Sequence, residues 1–247
     1  MLSTRKLDKA FGSLIVASDI TLDIPRGARH ALIGPNGAGK TTLINLITGM
    51  LPPDAGTILL DGEDVTSLRP DARVRRGLAR TFQINALFPR LTALESVTVA
   101  VLEREGQAHN WWRALPRFGA AIDEARAILA SLRIPAERET LQLAYGQQRL
   151  LEIALALATR PKMLLLDEPA AGVPKDESHQ LFSAIAGLSS ELTLLFIEHD
   201  MNVVFRFATR IHVMLGGRIL TQGTPEEIAH DERVREVYLG RSHRAAG

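Results

Sequence analysis

Nine consecutive residues, Gly34-Pro35-Asn36-Gly37-Ala38-Gly39-Lys40-Thr41-Thr42, hold three glycines, one lysine and two hydroxyls. They fit G-x-x-x-x-G-K-[ST] at every fixed position. Glycines let the backbone curl until successive N–H groups point inward, a concavity suited to phosphate oxygens. Lys40 adds a mobile positive charge for β- and γ-phosphates, and the Thr41 hydroxyl is a hard oxygen donor of the kind Mg²⁺ takes. A second cluster follows at Met163-Leu164-Leu165-Leu166-Asp167-Glu168, an apolar run ending in two carboxylates. Asp167 can hold a metal through its water shell, and Glu168 can orient or polarise an attacking water. Such a run is common by itself; downstream of a complete phosphate loop it reads as the other half of one site. His199 ends a further apolar run; alone it would read as a structural histidine, as His30 does.

The elements that must position these groups are legible from periodicity. Ala17 to Ile24 alternates apolar and polar residues as a half-buried strand does. Ala28 to Ile33 reads as a buried strand running into the glycine loop, and Lys40 to Thr48 as the helix that the loop opens. That context brings the positive end of a helix dipole to the phosphates. Thr57 to Leu60 is a strand before the turn Asp61-Gly62. From about Ala93 to Ala158 the period turns helical, with stripes at Leu94, Val97, Val101 and Leu102, at Ile122, Ala125, Ile128, Leu129 and Leu132, and at Leu150 to Leu157. Glu105 to Gly119, with Trp111 and Trp112, reads as a loop between the first two. Strand signals return at Met163 to Leu166 and Leu192 to Ile197, flanking a helical segment from about Asp176 to Leu188. Near the end, Thr224, Pro225 and Glu227 have the N-cap, first-turn and capping-box chemistry of a helix start. The helix is expected to run through Tyr238, with Arg241 to Gly247 a frayed tail. The order is an α/β fold, a parallel sheet with a helical block inserted in its middle.

Composition narrows the function classes. The 247 residues correspond to one or two domains at roughly 150 residues each, and 46% hydrophobic with 23% charged residues is ordinary for a globular chain. Lys plus Arg is 29 and Asp plus Glu is 28, a net charge of +1 that gives no electrostatic case for a nucleic-acid or membrane-surface protein. The absence of cysteine excludes a disulfide scaffold, a thiolate metal site and a cysteine nucleophile. Arg5, Lys6, Asp8 and Lys9 leave no apolar signal-peptide core, and no apolar run approaches the roughly 18 residues that span a bilayer. A cytoplasmic or peripheral protein is expected, held at a membrane only through a partner.

Four further segments fall in a fixed order around the two clusters. Thr81-Phe82-Gln83 stands just before the helical block. Leu143-Ala144-Tyr145-Gly146-Gln147 opens the helix leading to the Asp167 strand, Ala170 to Val173 follows Glu168-Pro169, and Ile197-Glu198-His199-Asp200 closes the next strand. This set resembles the ATP-binding subunits of ABC transporters over nearly the whole chain. The resemblance implies a single ABC ATPase domain: a P-loop NTPase core (1–85 and 160–247) with a mostly parallel sheet, an antiparallel β subdomain, and a helical subdomain over about 86–159. It implies ATP and Mg²⁺ as ligands. Gly34 to Thr42 would be the Walker A loop, and Thr41, Gln83 and Asp167 the groups on Mg²⁺. Glu168 would be the catalytic carboxylate, His199 the switch histidine at the γ-phosphate, and Gln83 the glutamine that reports to the membrane partner. Phe11 would stack on adenine with Val16 lining the same pocket; its other reading is a core aromatic. Leu143, Ala144, Tyr145, Gly146 and Gln147 would be the signature that meets ATP held by the opposite subunit.

Two departures stand out. The commonest signature is Leu-Ser-Gly-Gly-Gln; here Ala144 lacks the hydroxyl and Tyr145 replaces a glycine, leaving Gly146, Gln147 and the helix dipole to bind an anion more weakly. Ala170-Ala171-Gly172-Val173 also lacks the usual Ser and Asp. Together these look like the larger ATPase of branched-chain amino-acid importers, whose wider class also takes urea, short amides and aromatic acids. The implied partners are a second ABC ATPase, identical or paralogous, two membrane-spanning permeases and, indirectly, an extracytoplasmic binding protein, on the cytoplasmic face of the membrane and with no nucleic acid. An exporter-type ATPase for lipid or lipopolysaccharide, or a soluble ABC ATPase, would share the catalytic motifs. Near Gln83, Leu87 and Phe88 are apolar in a loop and either form a covered patch for the permease or fold inward.

Overall fold

The structure, a computed structural model, describes residues 1–81, 87–107 and 118–239, apart from the side chains of residues 175–176 and 238–239. Phe82, Gln83, Trp111, Trp112 and the tail from residue 240 lie outside the described residues.

The centre is a six-stranded sheet in the order β10-β9-β3-β8-β7-β6. Strands β3 (Arg29–Ile33), β6 (Leu78–Arg80), β7 (Met163–Asp167), β8 (Thr193–Ile197) and β9 (Arg210–Leu215) are parallel, and β10 (Arg218–Gly223) returns antiparallel beside β9. Successive residues of β3, β7 and β8 feed two different cores. Ala31, Ile33, Leu164, Leu166, Leu194 and Phe196 face one, while Leu32, Met163, Leu165, Leu195 and Ile197 face the other. Burial on both faces is why these strands read as unbroken apolar runs.

The second core is closed by a four-stranded antiparallel sheet, order β2-β1-β4-β5, with β1 (Leu2–Phe11), β2 (Leu14–Ile24), β4 (Ala55–Leu60) and β5 (Glu63–Asp64), and by helix α1 (Lys40–Thr48). Strand β1 carries no clear alternation because Lys6 (φ 48°) and several register shifts interrupt it, and its charges look like those of a loop. Between β6 and β7 come α3 (Ala93–Arg104), α4 (Gly119–Ser131) and α5 (Tyr145–Leu157), which cover the first core together with α6 (Lys175–Ala186). Helix α3 starts at a full capping box, Thr92 with Glu95. The expected final helix is two: α8 (Pro225–His230), with the Thr224–Glu227 capping box, and α9 (Glu232–Leu239), parted at Asp231, whose backbone is extended. Among the described residues no helix is long and apolar enough to cross a membrane.

Two buried polar devices hold the sheets in place. Arg73, on α2 (Pro70–Arg75), is 1% exposed and donates to four carbonyls, those of Leu46, Ile47, Thr66 and Leu68, at 2.6–3.0 Å. Leu46 and Ile47 end α1, so Arg73 supplies the donors that a helix C-terminus lacks. His30 on β3 and His212 on β9 are buried side by side, Nδ1 to Nε2 at 2.9 Å. Burial, with nearby Arg210, holds each at about 4, and both are uncharged at neutral pH.

Arg73→Ala is expected to lower stability by about 3 kcal/mol or more, because four carbonyls lose a charged donor in a dry site; chemical denaturation measures it. The histidines set an acid limit. Their ordinary value is 6.5 and the folded value about 4, so the unfolded chain takes up the protons first. Stability is full above pH 6.5 and is lost as pH falls from 6.5 towards 4. Replacing His30 by Gln should flatten this slope by on the order of 3 kcal/mol, read from urea midpoints across that window.

Candidate functional site

The site lies along one edge of the central sheet. Register puts Leu32, Ile197 and Asp167 level with one another on β3, β8 and β7. The loops leaving these strands carry Gly34 to Gly39, Glu168 and His199, so three distant segments converge at the carboxyl ends of parallel strands.

The phosphate loop is fixed by close backbone approach. Gly39 has φ 102°, and a Cβ there would lie 2.5 Å from the Val16 carbonyl oxygen. A Cβ on Gly34 would lie 2.2 Å from the Met214 carbonyl oxygen. The β9–β10 turn braces the same loop, with Gly217 N donating to the Ala38 carbonyl at 2.9 Å and Ser18 N donating to the Gly217 carbonyl at 2.8 Å. Helix α1 begins directly at Lys40, without a side-chain cap, leaving its first N–H groups for a ligand. Lys40 is 7% exposed, and its Nζ donates to the carbonyls of Gly34 and Pro35 at 2.7 and 3.1 Å. Burial pushes its ammonium down, opposed by the charges of Glu168 and Asp167. The lysine thus lies folded along its own loop, facing both carboxylates. Thr41 is exposed at the helix start.

Glu168 and His199 meet, Oε1 to Nε2 at 2.6 Å. Glu168 holds φ 50°, a costly conformation for a side chain of this size. It is kept there by bonds from its N–H to the Ile197 carbonyl (3.1 Å) and from Ala171 N–H to its own carbonyl (3.0 Å). Asp167, 4% exposed, accepts from Arg80 Nη2 at 2.8 Å, and Arg80 Nη1 donates to Asn45 Oδ1 at 2.7 Å. Neither Arg80 nor Asn45 was a candidate from sequence. Glu198 was missed too: buried at the end of β8, it accepts from Ala170 N (3.0 Å) and His199 N (3.2 Å), and burial pushes its carboxyl up. The only signal was a carboxylate set between Ile197 and His199.

The other candidates are spread more widely. Val16 reaches the loop through its carbonyl. Phe11 is 52% exposed at the β1–β2 turn, alongside exposed Leu14 and Ile15, so its reading as a core aromatic falls. Gln83 lies outside the described residues. Leu143 is buried in the core, while Ala144 and Tyr145 face solvent at the start of α5. Gly146 N–H, one of the groups expected to meet an anion, donates to the Glu177 carboxylate of α6 at 2.8 Å. Beside Thr81, an apolar cavity of about 300 Å³ is lined by Met50, Val74, Leu78, Leu87 and Leu155, with Glu152 in its wall. Leu87 packs towards the core and Phe88, 59% exposed, points away from it.

This arrangement can bind a nucleoside triphosphate at its phosphates and set a carboxylate–histidine pair beside them. Comparisons agree. Residues 17–171 match the ABC transporter family, and residues 218–244 match the branched-chain amino acid ATP-binding cassette transporter segment. The chain is 40% identical to the high-affinity branched-chain amino acid transport ATP-binding protein BraF of Pseudomonas aeruginosa, over 97% of this chain and 98% of that protein. An ATP-binding cassette of an ABC transporter, solved in its ADP conformation, superposes with a TM-score of 0.86 at 31% identity, covering 97% of this chain and 98% of the other. A dimeric post-hydrolysis cassette bound to ADP and Pi gives 0.74 at 25% identity, over 91% and 99%. By its loop, its sheet edge and these likenesses, the chain belongs to the ABC transporter family as one of its ATP-binding cassettes.

Proposed function

We propose that this chain is the ATP-hydrolysing subunit of a membrane importer for branched-chain amino acids or related small amino acids, amides or acids. One observation carries the hydrolytic part: the 2.6 Å contact of Glu168 with His199, beside the glycine loop and Lys40. Likeness to BraF over 97% of the chain supports the importer part.

Phosphoryl transfer needs positioning and neutralised charge more than covalent chemistry. The free backbone N–H groups of the Gly34–Thr42 loop, Pro35 having none, cradle the phosphates. Lys40 leaves its own carbonyls for the β- and γ-phosphates. Glu168 orients the attacking water and takes its proton, while His199 holds Glu168 at one nitrogen and turns to the γ-phosphate. Thr41 and Asp167 fit Mg²⁺ in donor chemistry, one hydroxyl and one carboxylate, which leaves room for waters and phosphate oxygens. Gln83 is the third proposed ligand. When bound, the ion neutralises phosphate charge. Phe11 and Val16 are assigned to the base, consistent with an exposed aromatic on the hairpin that touches the loop.

The site is completed by a second ABC ATPase, whose residues matching Leu143, Ala144, Tyr145, Gly146 and Gln147 face the ATP held here. With no hydroxyl at Ala144, the Gly146 N–H must exchange Glu177 for phosphate, a coupling of closure to α6. The 300 Å³ apolar cavity is assigned to a permease segment, which holds the chain at the cytoplasmic face. The core 1–85 and 160–247 then moves against the helical block 86–159 as one ABC domain.

Glu168→Gln should cut ATP turnover by 10²-fold or more while ATP binding persists and the dimer stays closed; size-exclusion with nucleotide and a phosphate-release assay read both, and normal turnover would refute the assignment. The chain has no cysteine, so Val74→Cys creates a single thiol in the cavity wall. A thiol-directed cross-linker on native membranes should capture a multi-span permease; capture of soluble ribosomal or DNA-bound proteins instead would remove transport.

A further inference from the structure

The contact between Glu168 and His199 does not hold itself in place. Their side chains are 27% and 48% exposed, and a pair open to solvent to this extent is worth little by itself. Glu168 also keeps φ 50°, a conformation that persists only where its surroundings over-determine it. A buried group nearby must supply the constraint.

Glu198, 6% exposed, stands between Ile197 and His199. Strands β7 and β8 share their last ladder pair at Asp167 and Ile197, so Glu168 and Glu198 are the first residues past it. The loop leaving β7 folds through two overlapping turns, with Ala171 N–H donating to the Glu168 carbonyl and Val173 N–H to the Ala170 carbonyl, each at 3.0 Å. Glu198 Oε1 accepts from Ala170 N–H, inside those turns, at 3.0 Å, and Oε2 accepts from His199 N–H at 3.2 Å. A ring closes. The Glu168 carboxylate meets the His199 imidazole, the His199 N–H meets Glu198, Glu198 holds the Ala170 N–H, and the chain runs from Ala170 back to Glu168. Each join is either a stretch of chain or a contact of 2.6–3.2 Å.

The type of side chain matters here. Both neighbours are donors, so Glu198 must accept at two separate oxygens. An amide of the same shape has one oxygen and turns its NH₂ towards one of the two N–H groups. A carboxylate is costly to bury, and among the described residues no lysine or arginine pairs with this one. Its compensation is the two charge-assisted bonds from the backbone, which are also the bonds that close the ring.

We propose that Glu198 is a positioning residue for ATP hydrolysis: by holding the Ala170 and His199 N–H groups on its two oxygens, it sets the Glu168 carboxylate and the His199 imidazole at the separation where they work as a pair. It acts through Glu168 and not on the nucleotide. The proposal rests on the reading of Glu168 as the carboxylate that orients the attacking water, and adds the device that aims it.

The test compares Glu198→Gln, Glu198→Ala, Glu168→Gln and the double variant Glu168→Gln/Glu198→Gln in the assembled transporter, captured from native membranes through this chain. Turnover is followed by phosphate release, and ATP affinity by titration with a fluorescent nucleotide analogue. The phosphate loop and Lys40 lie outside the ring, so ATP affinity should stay within about twofold of wild type. Over the same series kcat should fall about tenfold in Glu198→Gln and about 10²-fold in Glu198→Ala. In the Glu168→Gln background, Glu198→Gln should change the residual turnover by less than about twofold, because nothing is left to aim. A merely structural side chain would instead cost ATP affinity along with kcat, and its loss would multiply in the double variant. Either of those results, or wild-type kcat in Glu198→Gln, would overturn the proposal and leave the role of Glu168 standing. Normal turnover in Glu168→Gln would overturn both.

Discussion

Everything in this chain depends on three parallel strands being buried on both faces and ending level. β3, β7 and β8 each send alternate side chains into two separate cores, so none can slide by one residue without exchanging its whole set of contacts. Fixed register places the residues after Ile33, Leu166 and Ile197 along one edge. A phosphate loop, a carboxylate pair and a histidine from three distant parts of the sequence then need no further device to meet.

Charged groups at that edge are held by short contacts. Lys40 rests on its own loop carbonyls, Asp167 on Arg80, and Glu168 on His199. Glu198 works differently. Its two backbone contacts tie the loop after Glu168 to the residue that carries the histidine ring, so β7 and β8 keep a common geometry beyond their last ladder bond. The strained backbone at Glu168 belongs with this, since a residue at φ 50° persists only where its surroundings over-determine it.

Helix α5 runs between the loop after Glu168 and the cavity beside Thr81. Its first turn carries Tyr145, Gly146 and Gln147, and Glu152, Leu155 and Ala156 line the cavity near α2 and β6. Gly146 leans on Glu177, Tyr145 on Gly172 and Arg149, and Arg149 on Glu152.

The glycine loop, the Asp167-Glu168 pair, the strand–helix context of Lys40, the helical block and the capping box at Thr224 were legible in the sequence, because each is fixed by local backbone chemistry or by a period within one element. Tertiary structure alone decided the rest. Strand β1 is built by pairing with β2 and β4, not by its own alternation, and carries Lys6 at positive φ. Arg73, Arg80, Asn45, Glu198 and the His30–His212 pair look like ordinary polar residues until folding brings their partners from up to 182 positions away. The same holds for Glu177, which occupies a helix end that the sequence alone leaves open. Spacing along a chain records what a residue can do for its neighbours in sequence, whereas desolvation and pairing are set by neighbours in space.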